Sequence, residues 1–392
     1  MTKKRTLIER LNQEGAICAE GFLFEMERRG YLTAGEFVPE VALEYPEALR
    51  TLHKDFQHAG SDIVEAFTYN GHREKMRVIG KEDLLEPLNR AALKIAKEVA
   101  HDVPTGTEPN LMAGNISNTN IWNPQDPQSQ KDVRSMFEEM VGWAVEEGAD
   151  MIIGETFYFA EEAFCALEVM KKTGLPCVLT IAPMGENIMR DGITPLDTCL
   201  KLEQLGADVV GLNCFRGPET MLPYIKEIRS KVKCHVGALP IPYRTNSKQP
   251  TFFNLDDYSN CTCPAPHGRT FPTALDPLFT NRYEIRQFAQ TCYDLDVKYL
   301  GVCCGANPML IREVAEVMGK NPPAMRFKEN MSNHFMYGTN KRIPDHIKDY
   351  GDKAKTIKAR YDSIASLAIV KISRIKENLT IILTILPDSS PA

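Results

Sequence analysis

Hydrophobic and polar positions follow one repeating unit along this chain: an amphipathic stretch, a Gly or Ala-Gly stop, then a short run of Val, Ile and Leu. The unit is plainest in HAGSDIVEAFT (58–68), EEGADMIIGETF (147–157), QLGADVVGLNCF (204–215) and LDVKYLGVCCGA (295–306). The glycine ends a helix in a left-handed turn, and the near-continuous β-branched run reads as a strand buried on both faces. GAICAEG (15–21), NLMAGNIS (110–117), PCVLTIAP (176–183) and CHVGALPI (234–241) bring the predicted strands to eight. Helices are predicted between them over Pro39–His58, Glu82–Ala100, Gln130–Glu147, Ala160–Lys172, Pro195–Leu205, Thr220–Lys231, Arg282–Leu295 and Pro308–Met318. Eight alternations predict an α/β fold, a (β/α)8 TIM barrel. The competing open, doubly wound sheet expects a Gly-rich phosphate loop after an early strand, and neither GxGxxG nor GxxxxGK[ST] occurs.

The barrel is expected over residues 9–319. Residues 242–276, rich in Pro, Asn, Thr and Asp, form a long insertion between the seventh and eighth strands. From 320 to 363 the chain turns polar and basic, as suits a C-terminal arm packing on a neighbouring subunit of a homo-oligomer. Residues 364–392 are an Ile/Leu-rich tail to which no role is assigned.

Composition narrows the partners. Hydrophobic residues make up 43% and charged residues 25%, which excludes disordered and fibrous classes. A net charge of −6 argues against nucleic acid, whose partners are normally basic. The late apolar run Leu379–Leu386 has eight residues, short of the roughly 20 that span a membrane. Eleven cysteines, with no secretory leader in MTKKRTLIERL, fit a reducing cytoplasm better than a disulfide framework.

Barrel enzymes place their chemistry at the C-terminal ends of the strands. Those ends carry Glu20-Gly21-Phe22, Glu65 to Asn70, Asn115, Glu155-Thr156, Asn213-Cys214 and Cys303-Cys304-Gly305. Adjacent cysteines make a strained disulfide, but their sulfurs can share one soft cation. With Cys214 they supply three sulfur ligands and leave one tetrahedral position open, the pattern of a catalytic rather than a structural zinc site. The alternative is a buried apolar pair in a strand. Three thiolates on Zn2+ leave a net −1, a poor electrophile but a suitable place to make a substrate thiol electron-rich. Cys261, Cys263 and His267 in the insertion offer one ligand fewer than a structural site needs. Glu65 is expected to be a salt-bridge partner in the barrel top, with a catalytic role as the alternative, and His72 and His235 are expected to be ordinary polar residues.

The segments AEGFLFEMERRGY (19–31), GSDIVEAFT (60–68), GADMIIGET (148–156), GADVVGLNC (206–214) and YLGVCCGANP (299–308) resemble the homocysteine S-methyltransferase family, nearest its betaine–homocysteine branch. That resemblance implies a zinc-bearing barrel that moves a methyl group from a quaternary ammonium or sulfonium donor to homocysteine, giving methionine. Cys214, Cys303 and Cys304 would then hold one Zn2+, Glu155 the homocysteine ammonium, and Asn213 would orient the site. The chain departs from the branch in three places. Ala19-Glu20-Gly21-Phe22 stands for Asp-Gly-Gly-Phe, with Glu20 offered as the replacement carboxylate; Tyr69-Asn70 stands for Phe-Tyr; Thr156 stands for Tyr. Phe22, Phe37, Tyr69, Phe157 and Tyr158 are the aromatic residues from which a cage for a methylammonium donor would be built. The expected donor is glycine betaine. S-methylmethionine or another sulfonium is the alternative, and a non-catalytic zinc-binding relative is a third possibility.

Overall fold

The computed structural model describes residues 3–103, 108–185, 187–256, 270–351 and 353. Eight parallel strands close into a barrel in sequence order: β1 (Ala16–Ala19), β2 (Ile63–Glu65), β3 (Leu111–Ser117), β4 (Met151–Phe157), β5 (Cys177–Ile181), β6 (Val209–Asn213), β7 (His235–Leu239) and β8 (Tyr299–Val302). Closure is made by β1 against β8, with Ala16 beside Tyr299 and Ala19 beside Val302. The expected (β/α)8 barrel is therefore present, and all eight strands lie within the segments read from the sequence.

The helices are α1 (Leu7–Leu11), α2 (Phe22–Arg28), α3 (Val41–Glu44), α4 (Pro46–Ala59), α5 (Arg73–Ile79), α6 (Leu85–His101), α7 (Pro127–Glu146), α8 (Ala160–Lys171), α9 (Pro195–Gln204), α10 (Pro218–Lys231), α11 (Arg282–Asp294) and α12 (Pro308–Val317). One predicted helix is broken. Pro46 bars its predecessor from helical geometry, so Tyr45 sits at φ −138° and ψ 61°, and 39–58 divides into α3 and α4. The short α2 and α5 were not expected. Each fills a strand-to-helix connection close to the mouth.

Side chains divide between two cores. Alternate strand residues such as Ile152, Leu179, Val210 and Leu300 face the helix layer. Their neighbours Cys18, Ala113, Ile153, Val178, Val209 and Tyr299 fill the barrel, joined by Leu7 and Leu11 of α1. At the end of β4 the alternation slips. The β4–β5 register shifts between Gly154 and Phe157, and Thr156 takes φ 61°. The extra residue turns Phe157 outward, against Phe137 of α7.

The chain divides into two compact units, Met1–Arg326 and Phe327–Ala392. Described parts of the second unit include a 3-10 turn, Met331–Asn333, and a helical stretch at 345–351. Residues 352 and 354–363 of the expected arm, the tail from 364, and Cys261, Cys263 and His267 lie outside the described residues.

Candidate functional site

Local backbone geometry brings three thiols together at the mouth. After β6 the chain places two consecutive non-glycine residues in the left-handed region, Cys214 at φ 56° and Phe215 at φ 54°. Such conformations cost about 1–3 kcal/mol each and persist only where the surroundings impose them. The Cys214 amide donates to the Leu239 carbonyl at 3.0 Å, and the Cys303 amide donates to the Pro240 carbonyl at 2.9 Å. Both cysteines are thus tied to the end of β7. The Sγ atoms of Cys214 and Cys304 lie 3.4 Å apart, and all three sulfurs lie within 4.8 Å of one another. Sulfurs around a tetrahedral ion with bonds of about 2.3 Å would be spaced by about 3.8 Å, so this donor set fits a soft metal ion. Gly21 lets the chain pass beneath it. It has φ +73°, and a Cβ there would meet the Cys304 backbone nitrogen at 2.2 Å.

Of the three thiols, Cys214 is the one whose ionisation the surroundings favour. Burial opposes ionisation of Cys214, but hydrogen bonds from the Cys303 and Cys304 thiols and from the Phe215 and Cys304 amides outweigh it and hold its pKa well below the usual thiol range. Cys303 is pushed well up, first by burial and then by Cys214. Cys304 is also pushed well up, chiefly through its hydrogen bond to Cys214.

Beside the sulfurs runs a buried ladder of carboxyls and carboxamides. Asn115 Nδ2 donates to Glu65 Oε1 at 2.6 Å and to Glu155 Oε1 at 2.8 Å. Asn213 Nδ2 lies 2.8 Å from both Glu155 Oε2 and Thr156 Oγ1, 3.2 Å from Glu20 Oε2 and 3.7 Å from Cys303 Sγ. Its Oδ1 accepts from the Thr156 amide at 2.9 Å, which holds the left-handed residue in place. Burial dominates the electrostatics. It raises Glu155 to about 7 and pushes Glu20 and Glu65 well above the ordinary carboxyl range, with each of these two also repelled by Glu155. Among the described residues lining the small cavity between ladder and thiols there is no lysine or arginine.

The structure brings Glu20, Gly21, Phe22, Tyr69, Glu155, Thr156 and Asn213 to this mouth beside the three cysteines. Phe22 and Tyr69 line the cavity with Glu155, Cys303 and Cys304. The Tyr69 hydroxyl accepts from Asn118 Nδ2 at 3.3 Å. Phe37 stands further out, edge-on to Phe24, while Phe157 faces the helix layer and cannot join a cage in the mouth. Glu65 has no basic partner among the described residues; it is buried, and in place of the expected salt bridge it accepts from Asn115. His72 caps α5, its Nδ1 accepting from the Lys75 amide at 3.3 Å.

Sequence reasoning named Glu65 and Asn115 as strand ends without seeing that they meet. Of the aromatic wall it named Tyr158 alone and missed Phe24, Phe215, Phe252 and Phe253. Tyr158 stacks on Phe215 at 6.4 Å, Phe215 meets Phe253 at 4.8 Å, Phe253 meets Phe252 at 4.7 Å, and Phe252 reaches Phe24 at 6.0 Å. The insertion supplies Phe252, Phe253 and Phe271, and three phenylalanines in a loop otherwise polar were the available signal.

Residues 17–318 match the family profile described as homocysteine S-methyltransferase. Betaine–homocysteine S-methyltransferase 1 of Xenopus tropicalis is 33% identical over 326 residues, covering 80% of this chain and 75% of the relative. An S-methylmethionine–homocysteine S-methyltransferase of Pongo abelii is 32% identical over 332 residues, covering 82% and 84%. Among solved structures, the homocysteine methyltransferase of Escherichia coli in its oxidised form superposes with a TM-score of 0.60 at 15% identity, over 80% of this chain and 99% of that one. Its metallated form gives 0.59 at 15% identity, over 78% and 96%. At that identity the two structures show a common fold. The profile match and the close relatives show more: this chain is a methyltransferase and belongs to the homocysteine S-methyltransferase family.

Proposed function

We propose that the protein uses Zn2+, one per subunit, to move a methyl group from glycine betaine to the thiol of homocysteine, leaving dimethylglycine and methionine. The proposal includes a cytoplasmic setting and a homo-oligomer in which residues 320–363 form the arm. No helix among the described residues is long and apolar enough to cross a membrane. The observation that carries the reading is the convergence of Cys214, Cys303 and Cys304 beside a buried carboxyl ladder in one mouth.

Bound there by the three cysteines, zinc would supply a field that favours the thiolate of a substrate whose free thiol ionises near about 8.5. The protein's own groups do the rest. Glu155 and Glu20 accept from the homocysteine ammonium, and Asn213 holds the facing oxygens of both. Tyr69, which lines the cavity, would offer a ring face to a cationic donor, whose lost hydration is offset by cation–π attraction. The new S–C bond forms as the donor's N–C bond breaks, and the bonding pair leaves with nitrogen. The amine departs neutral, so no general acid is required. Alignment of the two reactants is the main catalytic device, able to supply roughly 7–11 kcal/mol.

The second reading replaces betaine by S-methylmethionine or another sulfonium; it is supported by the relative of that name, as similar as the betaine enzymes. Zinc-loaded protein, given homocysteine with each donor separately, separates the two. Faster methionine formation with betaine is expected, and a preference for S-methylmethionine would transfer the protein to the sulfonium reading.

A further inference from the structure

The direction of one carboxamide decides what the cavity offers. Asn115 Nδ2 stands between Glu65 Oε1 at 2.6 Å and Glu155 Oε1 at 2.8 Å. The NH2 end of Asn115 thus serves both carboxyls, one N–H to each. The Asn115 Oδ1 then has no donor among the described residues, although it is buried. Glu20 Oε1 is in the same condition. Oxygens of Glu20 and Glu155 lie within 4.8 Å of each other and of Cys303 Sγ. Asn115 and Glu155 line the cavity that also reaches Cys303 and Cys304. Two buried acceptor oxygens without a donor among the described residues, one on a residue lining the cavity and one on Glu20 beside it, therefore stand next to the thiols.

We infer that Asn115 is a substrate-binding residue whose Oδ1 accepts one N–H of the substrate's primary ammonium, while Glu20 Oε1 and Glu155 accept the other two. Glu65 is the positioning residue that fixes the Asn115 amide. The inference rests on the reading of this mouth as a homocysteine site. It goes further by giving the ammonium three acceptors for its three N–H groups. A thiol lacking the amino group would leave those acceptors unpaired, which buried polar groups tolerate poorly. It also gives Glu65, a buried carboxyl with no basic partner among the described residues, a defined task.

Calorimetric titration of zinc-loaded protein with homocysteine and with 4-sulfanylbutanoate, the same chain without its amino group, tests this. The parent protein is expected to prefer homocysteine. Asn115→Leu should weaken homocysteine about 10- to 100-fold, the worth of one hydrogen bond to a charged group, and leave the analogue within about twofold. Glu65→Gln keeps an oxygen facing the Asn115 amide and should retain the preference. Equal weakening of both thiols in Asn115→Leu, or an unchanged preference, overturns the inference and leaves the homocysteine reading standing. A parent protein that binds neither thiol overturns that reading and the inference with it. Should Asn115→Leu fail to fold, Glu65→Leu carries the test: freeing the amide should reduce the preference for homocysteine, and an undiminished preference overturns the inference.

Discussion

Gly21 sets the tolerance of the thiol site. Its left-handed backbone and the 2.2 Å approach that a Cβ would make to the Cys304 nitrogen leave no room for a side chain. The atom in the way is backbone, so relief must come from moving the β8 end that carries two of the three sulfurs. Gly21→Ala is expected to cost about 2 kcal/mol of stability from the conformation alone and at least about tenfold in zinc affinity. A urea titration and a competition with a chromophoric chelator measure the two losses. Undiminished zinc affinity would show that the β8 end is freer than the geometry implies. The same scale explains why the sequence showed the ligands but not their neighbours. Cys214, Cys303 and Cys304 are rare residues at strand ends and announce themselves, whereas Glu65 and Asn115 acquire meaning only through a 2.6 Å contact between separate strands.

At the scale of elements, buried strands were legible because burial on both faces demands unbroken apolar runs, as in MIIG and DVVGL. The slip at the end of β4 was not legible. A strict period of two would turn Phe157 inward, and one extra residue at φ 61° turns it out. The helix that follows, α8, is fastened to the β3 connection by Glu162, whose Oε1 accepts from the Thr119 amide at 2.8 Å and from its hydroxyl at 2.7 Å. Burial raises this carboxyl to about 7, and nearby Asp191 adds to the rise. A carboxyl raised in the folded state favours folding below its unfolded value, near 4.5, and that contribution is lost as pH climbs through about 7. Glu162→Gln keeps an oxygen for Thr119 and removes the ionisation. The variant should match the parent near pH 4 and exceed it at pH 8, by up to about 3 kcal/mol. Thermal unfolding of both proteins across that range checks the sign, and a constant difference would place the pH dependence elsewhere.

Across the whole molecule, the two ends of the barrel carry different kinds of charge. The N-terminal end pairs its ions: Arg10, buried to 3% exposure, meets Asp62 at 3.5 Å and Glu108 at 3.2 Å, and Lys320 meets Asp62 at 2.9 Å. The mouth instead gathers carboxyls and thiols without basic partners lining the cavity. Paired charge at one end suits stability, and unpaired acceptors at the other suit cationic substrates and a metal ion. This polarity was partly visible in the sequence through the strand-end rule. Most of the aromatic wall was not, because Phe252 and Phe253 meet Phe24 and Phe215 only through contacts between distant parts of the chain. The thiols also stand apart from the helix-facing core, so one of them can be removed without opening that core. The most direct measurement is therefore zinc content and methionine formation in Cys303→Ala, with circular dichroism to follow the fold. Zinc and activity should vanish together while the barrel remains folded; methionine formed at the parent's rate without bound metal would contradict the account.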